Sequence, residues 1–234
     1  MVLQQFEPKS IKIWSTAVKK VYLWSTQVRP AWWQPWANLL AYYPFDGDIN
    51  DHKWDLWYSW TTYNCAVRWT LSTGYTTGKV DNCIYRSNTG NGSLNTWITL
   101  TNKFSLMMWI YLIENNGRNL FTTTKTSDSW YGFSFQFNNL QPWIKVAGDH
   151  YFANTSITTG TWHHYVLTQD GTTAVFYVDW VWKTFTVNGT AWPNTLQILW
   201  IFDGWCKHRL DDVFVFGNRV LTQQEITDYL SQFN

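Results

Sequence analysis

Acidic and amide side chains are concentrated in the segment 46–51, which reads Asp-Gly-Asp-Ile-Asn-Asp. Carboxylate and carbonyl oxygens are the ligands that Ca²⁺ prefers, so this segment is a candidate calcium-binding loop. Its spacing lacks the remaining ligand positions of an EF-hand loop, which excludes that motif. The alternative interpretation is that Asp46-Gly47 forms an ordinary turn, because both residue types favour turns.

A second group of residues combines aromatic rings with amide and imidazole groups. Trp143, His150, Tyr151 and Asn138 lie on or beside predicted strands in the middle of the chain. Small-molecule sites pair an apolar, aromatic surface with a few polar groups that fix the orientation of the ligand. These four residues are therefore candidates for contacts with a ligand, although each of them also fits ordinary packing.

Hydrolysis of a glycoside requires two carboxylic acids at close range. The three glutamates of the chain, Glu7, Glu114 and Glu225, do not form such a pair on one strand. Phosphate-binding glycine loops and the nucleophile-elbow motif are also absent from the sequence. The adjacent His163 and His164 do not form a metal pair, because neighbours on a strand point to opposite faces. The sequence therefore predicts a protein without catalytic activity.

Strands must position these residues, because the apolar residues recur with period two over most of the chain. In residues 161–180, two runs of β-branched and aromatic residues flank Asp170-Gly171, which predicts an antiparallel hairpin with a type I′ turn. The predicted strands are 38–45, 80–86, 95–100, 104–112, 118–124, 131–137, 141–147, 150–153, 162–180, 183–187, 195–201 and 210–216. Such regular spacing of strands and turn signals favours a two-sheet antiparallel β-sandwich.

The two ends of the chain differ from this pattern. The capping box Thr222-Gln-Gln-Glu225 predicts a short C-terminal helix that ends near Leu230. Residues 1–36 contain a ten-residue repeat and a proline-bounded linker, and they are predicted to form a small β segment in front of a main domain at 37–234. This segment is too small to have a core of its own. It would pair as a ribbon, pack on the main domain, or join a second copy in a homo-oligomer.

Charge and composition exclude several classes of partner. The formal net charge is +1, so nothing directs the chain toward nucleic acid or an anionic membrane. Apolar runs do not reach the ~18 residues that a membrane-spanning helix needs. The N-terminus lacks the basic and apolar regions of a Sec-type signal peptide. Cys65, Cys83 and Cys206 form neither a disulfide framework nor a zinc pattern.

Four blocks of sequence resemble one protein family. Gly160-Thr-Trp-His-His followed by Tyr177-Val-Asp is similar to the central motif of the laminin-G-like, concanavalin A-like lectin/glucanase domains. The segments 40–47 and 104–111 resemble the opening strand of that family and its F-S-x-x-x-W-I/V-Y strand, and 210–226 resembles the closing strand and helix. The resemblance covers residues 38–234.

The resemblance implies an all-β, two-sheet sandwich of the jelly-roll type. It also implies a structural Ca²⁺ held by Asp46, Gly47 and Asp211, which match the family's metal positions. The expected function is non-catalytic recognition of glycans or of a surface protein, outside the cell, on a cell surface or on a virion. The alternative is a structural or adhesive module, such as part of a tail fibre, that has no sugar site.

Tryptophan is unusually frequent, with 19 copies in 234 residues. Several copies occupy positions where a turn or the resembling family favours glycine: Trp14, Trp24, Trp54, Trp57, Trp180, Trp200 and Trp205. Bulky residues are outliers at positive φ, whereas glycine is at ease there. Our hypothesis is that the source organism reads UGA as glycine, so that many of these residues are glycine in the natural protein. Trp143 would then drop out of the sugar-site argument.

Overall fold

The computed structural model describes residues 37–53, 62–69, 73–86, 92–114, 121–123, 133–138, 140–146, 149–187, 194–201 and 207–233. These residues belong to one unit, Gln34–Asn234. The predictions for residues 1–36 lie outside the described residues, as does Cys206. The other two cysteines, Cys65 and Cys83, are buried free thiols.

The described residues form fifteen strands and one α-helix, which ends in a short 3₁₀ turn. Their bounds are β1 Leu39–Tyr43, β2 Ala66–Trp69, β3 Thr73–Thr77, β4 Asn82–Arg86, β5 Gly92–Leu100, β6 Lys103–Glu114, β7 Phe121–Thr123, β8 Phe133–Asn138, β9 Gln141–Val146, β10 Asp149–Phe152, β11 Trp162–Asp170, β12 Thr173–Val178, β13 Val181–Thr186, β14 Asn194–Ile201, β15 Lys207–Gly217, α1 Gln223–Leu230 and the 3₁₀ turn Ser231–Phe233. In this part of the chain, no helix is long and apolar enough to cross a membrane.

The strands form two antiparallel sheets. The eight-stranded sheet has the order β13-β12-β11-β6-β15-β4-β3, and β1 also pairs with β15. The seven-stranded sheet has the order β10-β9-β8-β7-β14-β5-β2. The predicted two-sheet sandwich is thereby confirmed. Strands β2 and β3 were not predicted, because the segment 66–77 mixes glycine, arginine and threonine and lacks a clear apolar alternation.

The central strands of the eight-stranded sheet are apolar on both faces. In β6, Leu106, Met108 and Ile110 belong to the core between the sheets, whereas Met107 and Trp109 belong to a second cluster on the outer face. A strand that is buried on both faces reads as a continuous apolar run, as this segment does. The outer face therefore needs a cover of its own.

The C-terminal helix covers that outer face. Ile226 and Leu230 are buried against it, and the Trp109 indole donates a hydrogen bond to the Tyr229 hydroxyl at 3.3 Å. The predicted capping box is present, with the Glu225 main-chain N–H donating to Thr222 Oγ1 at 3.3 Å and the Thr222 N–H donating to Glu225 Oε2 at 2.8 Å. Satisfying these end groups fixes where the helix begins.

The central hairpin forms where it was predicted, but with a different turn. Asp170 is the last paired residue of β11 and faces Thr173, so the two-residue loop is Gly171-Thr172. φ is positive at Gly171 (60°) and not at Thr172. The predicted type I′ turn needs positive φ at both central residues and is therefore wrong, whereas glycine at the first position alone is typical of a type II′ turn.

A buried carboxylate joins the first strand to the loop that follows it. Asp51 is 1% exposed, and its two oxygens accept main-chain hydrogen bonds from Tyr42 (3.0 Å), Lys53 (2.9 Å) and Tyr63 (2.9 Å). Buried main-chain donors that lack a partner are costly, so this one side chain fixes the loop at three points.

Beneath the helix, His164 is fully buried between aromatic rings. Its ring centroid lies 4.9 Å from that of Trp109 and 5.2 Å from that of Tyr229. Among the described residues, neither of its ring nitrogens has a hydrogen-bond partner. Burial disfavours the charged imidazolium and lowers the pKa of His164 to about 3, so the ring stays neutral where an exposed histidine would take up a proton.

We expect His164 to contribute a loss in the free energy of unfolding as the pH is lowered from about 6.5 toward 4. In this window the unfolded chain protonates His164 and the folded chain does not, so the slope from this residue approaches about 1.4 kcal/mol per pH unit. Asp211 contributes with the opposite sign, because its pKa is raised and the folded chain holds its proton where the unfolded chain does not. The contribution of His164 is therefore the difference in slope between the wild type and His164→Phe, measured by urea unfolding at each pH. His150→Gln, at an exposed histidine, is the matched control variant. Equal slopes in His164→Phe and the wild type would contradict this account.

Candidate functional site

The outer face of the seven-stranded sheet carries a row of polar residues that crosses the strands. The strand register places His150, Lys145 and Ser134 side by side, followed beyond β7 by Gln197 and Asn95. Their neighbours Ile144 and Ile198 point into the core and are fully buried. Because side chains alternate along a strand, the row lies on the face that points away from the core.

An aromatic cluster stands at one edge of this row. Trp143 of β9 contacts two residues of the edge strand β10, with ring centroids 4.4 Å from His150 and 5.8 Å from Phe152. His150 is exposed, and Trp143 and Phe152 are half-buried. Farther along the row the side chains are buried, with Ser134 and Gln197 only 7% and 2% exposed. The β9–β10 edge is therefore one accessible end of the row.

The structure separates the four predicted sugar contacts. Trp143 and His150 lie together on the outer face. Tyr151 points inward, where its ring lies 5.4 Å from that of Phe185 of the other sheet, so it does not share their surface. Asn138 ends β8 opposite Gln141, and its side chain lies outside the described part of the structure. The sequence analysis did not include Phe152 among the candidate ligand contacts, although it lies two residues after His150 and therefore on the same face of the strand.

The predicted metal residues lie near a bulge in β15. The register of β15 shifts between Asp211 and Phe214, and Asp212 has a φ of 46°. Asp211 is fully buried, and its Oδ2 accepts main-chain hydrogen bonds from Lys79 (2.8 Å) and Val80 (2.9 Å). The other carboxylate oxygen, Oδ1, is buried with no hydrogen-bond partner among the described residues.

The surroundings of Asp211 disfavour a negative charge on its carboxyl group. Burial, followed by the nearby carboxylates of Asp212 and Asp46, raises the pKa of Asp211 well above its usual range. Asp46 Oδ1 itself accepts a hydrogen bond from the Asn82 main chain at 3.0 Å, and Gly47 adopts a φ of 133°. A cation at the orphan oxygen would relieve this repulsion. Among the described residues, no three His, Cys, Asp or Glu side chains form a metal cluster, so main-chain oxygens would have to complete the shell.

The other acidic residues of the loop have structural roles. Asp48 Oδ1 contacts His52 Nε2 at 3.0 Å and accepts the Asn50 main-chain hydrogen bond at 2.8 Å, while Asp51 holds three main-chain donors. The two described glutamates are also engaged: Glu114 pairs with Lys207 at 2.7 Å, and Glu225 pairs with Arg219 in addition to capping the helix. This arrangement leaves neither glutamate positioned beside a second carboxylate on the β9–β10 face.

The two adjacent histidines lie in different surroundings, as alternation requires. His163 Nδ1 contacts Asp179 Oδ2 at 2.8 Å, and its Nε2 accepts the Thr158 main-chain hydrogen bond at 3.2 Å. His163 therefore carries its proton on Nδ1 and joins the β12–β13 turn to the loop before β11. His164, one residue on, lies under the helix.

Comparisons with known proteins agree with this architecture. A family model described as the concanavalin A-like lectin/glucanases superfamily matches residues 86–227. No match was found among curated proteins. Among solved structures, domain 4 of AbnA, a GH43 extracellular arabinanase from Geobacillus stearothermophilus, in complex with arabinotriose, is 18% identical with a TM-score of 0.63, and the match covers 82% of this chain and 97% of that one.

Two further structures are similar over part of their length. The binding domain of botulinum neurotoxin DC in complex with SialylT is 13% identical, with a TM-score of 0.61 and coverage of 86% of this chain and 53% of that one. Trypanosoma rangeli sialidase is 18% identical, with a TM-score of 0.58 and coverage of 84% and 33%. At these identities the likeness shows the fold alone.

The described tryptophans bear unequally on the glycine hypothesis. At the β12–β13 turn the positive φ falls on Asp179 (53°) and not on Trp180, so the argument from backbone conformation does not apply to Trp180 itself. Trp97 does have a positive φ, of 60°. Trp200 lies in β14, and Trp14, Trp24, Trp54, Trp57 and Trp205 lie outside the described residues. The hypothesis remains a prediction.

We expect residue 180 to be glycine in protein isolated from its natural source, because Trp180 follows Tyr-Val-Asp at a turn and its side chain is 49% exposed. Peptide mass spectrometry measures this directly. Trp109, which is 5% exposed and packs under the helix, is the internal control that should remain tryptophan. Tryptophan at position 180 in the natural protein would contradict the hypothesis.

Proposed function

The chain belongs to the concanavalin A-like lectin/glucanase superfamily, and on that premise we propose that it is a non-catalytic glycan-binding module. The observation that supports this proposal is the β9–β10 edge, where an accessible aromatic cluster adjoins a row of polar residues. A sugar ring would lie against Trp143 and Phe152 with its apolar face. Its hydroxyl groups would then exchange hydrogen bonds with His150 and its polar neighbours.

The similar structures support a glycan as the ligand. Domain 4 of AbnA is in complex with arabinotriose, and the neurotoxin binding domain is in complex with SialylT. This chain spans nearly the whole of the AbnA domain and about half of the neurotoxin domain. A shallow site of this kind binds weakly, so display in several copies on the surface of a cell or particle would raise the avidity.

A second candidate function has its own observation. Trp180, Val181 and Trp182 on the β12–β13 hairpin are 49%, 44% and 48% exposed, which forms an apolar surface patch. Contiguous exposed apolar residues mark contact surfaces for proteins. A similar neurotoxin binding domain is in complex with rat synaptotagmin II, a protein. This patch favours an adhesive protein–protein module, in which self-association would occur without glycan binding.

We expect Trp143→Ala to weaken glycan binding about tenfold, because the variant loses the stacking surface of the indole, and ~1.4 kcal/mol corresponds to a factor of ten. A glycan array that includes arabino-oligosaccharides and sialylated glycans identifies the ligand, and isothermal titration measures the dissociation constant.

Trp182→Ala is the control for this measurement, since it removes an exposed indole from the other sheet. The proposal fails if the wild type binds no glycan, or if Trp143→Ala binds as tightly as the wild type. Self-association that is lost in Trp182→Ala, without any glycan binding, would favour the adhesive module.

We further propose that Ca²⁺ binds beside Asp211 and Asp46. The buried, unpartnered Oδ1 of Asp211 and the repulsion between the neighbouring carboxylates support a cation there. Asp211 and Asp46 would supply carboxylate oxygens and the chain around Gly47 main-chain oxygens. The ion would supply positive charge that fixes the 46–53 loop, and it would take no part in chemistry.

Calcium at about 100 times its dissociation constant should raise the melting temperature of the wild type by about 5–10 °C, because a ligand that binds only the folded state adds about 2.7 kcal/mol. Asp211→Asn should abolish the shift, whereas Asp170→Asn, at an exposed ion pair with Lys103, should retain it. In chelator, Asp211→Asn should be at least as stable as the wild type, because it removes a buried carboxyl group that resists ionisation. A melting temperature that calcium leaves unchanged would contradict the proposal.

A further inference from the structure

A groove opens on the side of the sandwich, far from the aromatic cluster. It has a volume of about 290 Å³ and lies between β1 and the last half of β5, lined among others by Leu40, Tyr63, Trp97, Thr99, Thr101 and Asn218. β2 pairs only with Gly92–Asn95, so no described strand covers the rest of β5 on this side. Four strand spacings separate β5 from β9, which is about 20 Å. The groove and the β9–β10 edge are therefore distinct sites.

An exposed tryptophan in a strained conformation stands beside this groove. Trp97 is 62% exposed and has a φ of 60°, which is a costly conformation for a bulky residue. Two side chains hold the backbone there: Asn95 Oδ1 accepts the Trp97 main-chain hydrogen bond at 3.1 Å, and Thr96 Oγ1 accepts that of Ile98 at 3.2 Å. With tryptophan at this position the strain is held in place by its surroundings, as in ligand clamps, whereas glycine, which the glycine hypothesis would place here, would relieve it.

Thr96 also ties this bend to the neighbouring strand, because its hydroxyl donates to the Leu196 carbonyl at 2.8 Å. These hydrogen bonds hold the bend in place within the sheet. It presents the indole to solvent at the rim of the groove, where the indole packs against little of its own protein. An aromatic ring held out in this way offers a flat surface on which a ligand can stack.

We infer that the groove is a second binding site, for a neutral saccharide. The indole of Trp97 offers a stacking surface, and the hydroxyl groups of Thr99 and Thr101 and the amide of Asn218 offer hydrogen bonds to sugar hydroxyl groups. The Thr101 hydroxyl lies 3.4 Å from Asn218 Oδ1, which holds these two polar groups together. Among the described lining residues none is charged, which disfavours an ionic ligand.

A peptide that adds a strand to the open edge fits these observations less well. The ladder between β14 and β5 shifts register between Thr195 and Gln197, opposite the bend at Trp97. An added strand needs a regular row of main-chain donors and acceptors. The bend interrupts that row at the middle of the groove.

This inference rests on the proposed glycan-binding function and extends it to two sites on one chain. Two sites about 20 Å apart would let one molecule hold two glycan chains, or two parts of a branched one, at the same time. Even weak individual contacts would then give useful avidity.

The experiment follows the indole N–H signals of Trp97 and Trp143 in ¹⁵N-tryptophan-labelled protein, assigned by their loss in Trp97→Phe and Trp143→Phe. The probes are arabinotriose, cellotriose and maltotriose, together with an unrelated extended peptide. We expect at least one saccharide to shift both signals. Trp97→Gly, which removes the ring and suits the left-handed backbone, should weaken binding at the groove at least tenfold and leave the Trp143 shift intact.

The outcomes separate the two proposals. A saccharide that shifts the Trp143 signal alone would contradict the proposed binding site in the groove and would leave the proposed function unaffected. A shift at Trp97 alone supports the groove and overturns the β9–β10 site. Shifts at neither signal overturn both sites, and a shift at Trp97 with the peptide but with no saccharide overturns the choice of ligand. Equal saccharide affinity in Trp97→Gly and the wild type also overturns the groove.

Discussion

The need to cover both faces of the eight-stranded sheet determines the rest of this structure. Its central strands are apolar on both sides, so one face packs on the other sheet and the second requires the C-terminal helix. His164 shows how dry that second interface is, because burial between Trp109 and Tyr229 keeps its ring neutral. The helix covers the apolar centre of this outer face. Both sites proposed for a glycan lie elsewhere, on the seven-stranded sheet and on the open side of the sandwich.

The seven-stranded sheet, in contrast, is apolar on its inner face and polar on its outer face. Its inner face completes the core, and its outer face carries a polar row that ends in an accessible aromatic cluster at β10. Aromatic rings beside a few polar groups are typical of sites that bind small ligands such as sugars. On the open side, the buried Asp51 carboxylate accepts a main-chain hydrogen bond from Tyr63, one of the residues that line the groove.

The sequence could predict most strands, because period two and turn residues are local signals, and the Thr222 capping box located the helix. The same alternation rule that separated His163 from His164 would also have excluded Tyr151 from the surface of His150, which it follows directly. The groove could not be predicted, since Leu40, Tyr63 and Trp97 come together only when two sheets meet. The bulge at Asp211 is also a property of strand register, so the sequence of residues 210–216 does not reveal it. Nor does that sequence reveal that one buried oxygen of Asp211 lacks a hydrogen-bond partner among the described residues.

Trp97 connects the glycine hypothesis to the question of where a ligand binds. Asn95 and Thr96 hold the bend through main-chain contacts, so the bend does not depend on which side chain follows at position 97. Glycine there would remove the backbone strain and the stacking surface together, whereas tryptophan keeps both. If residue 97 is glycine in the natural protein, the groove retains its hydroxyl and amide groups but loses the ring that favours a saccharide. The β9–β10 edge would lose its stacking surface in the same way if residue 143 were glycine. The identity of residues 97 and 143 in the natural protein therefore decides how much aromatic surface either site has for a sugar.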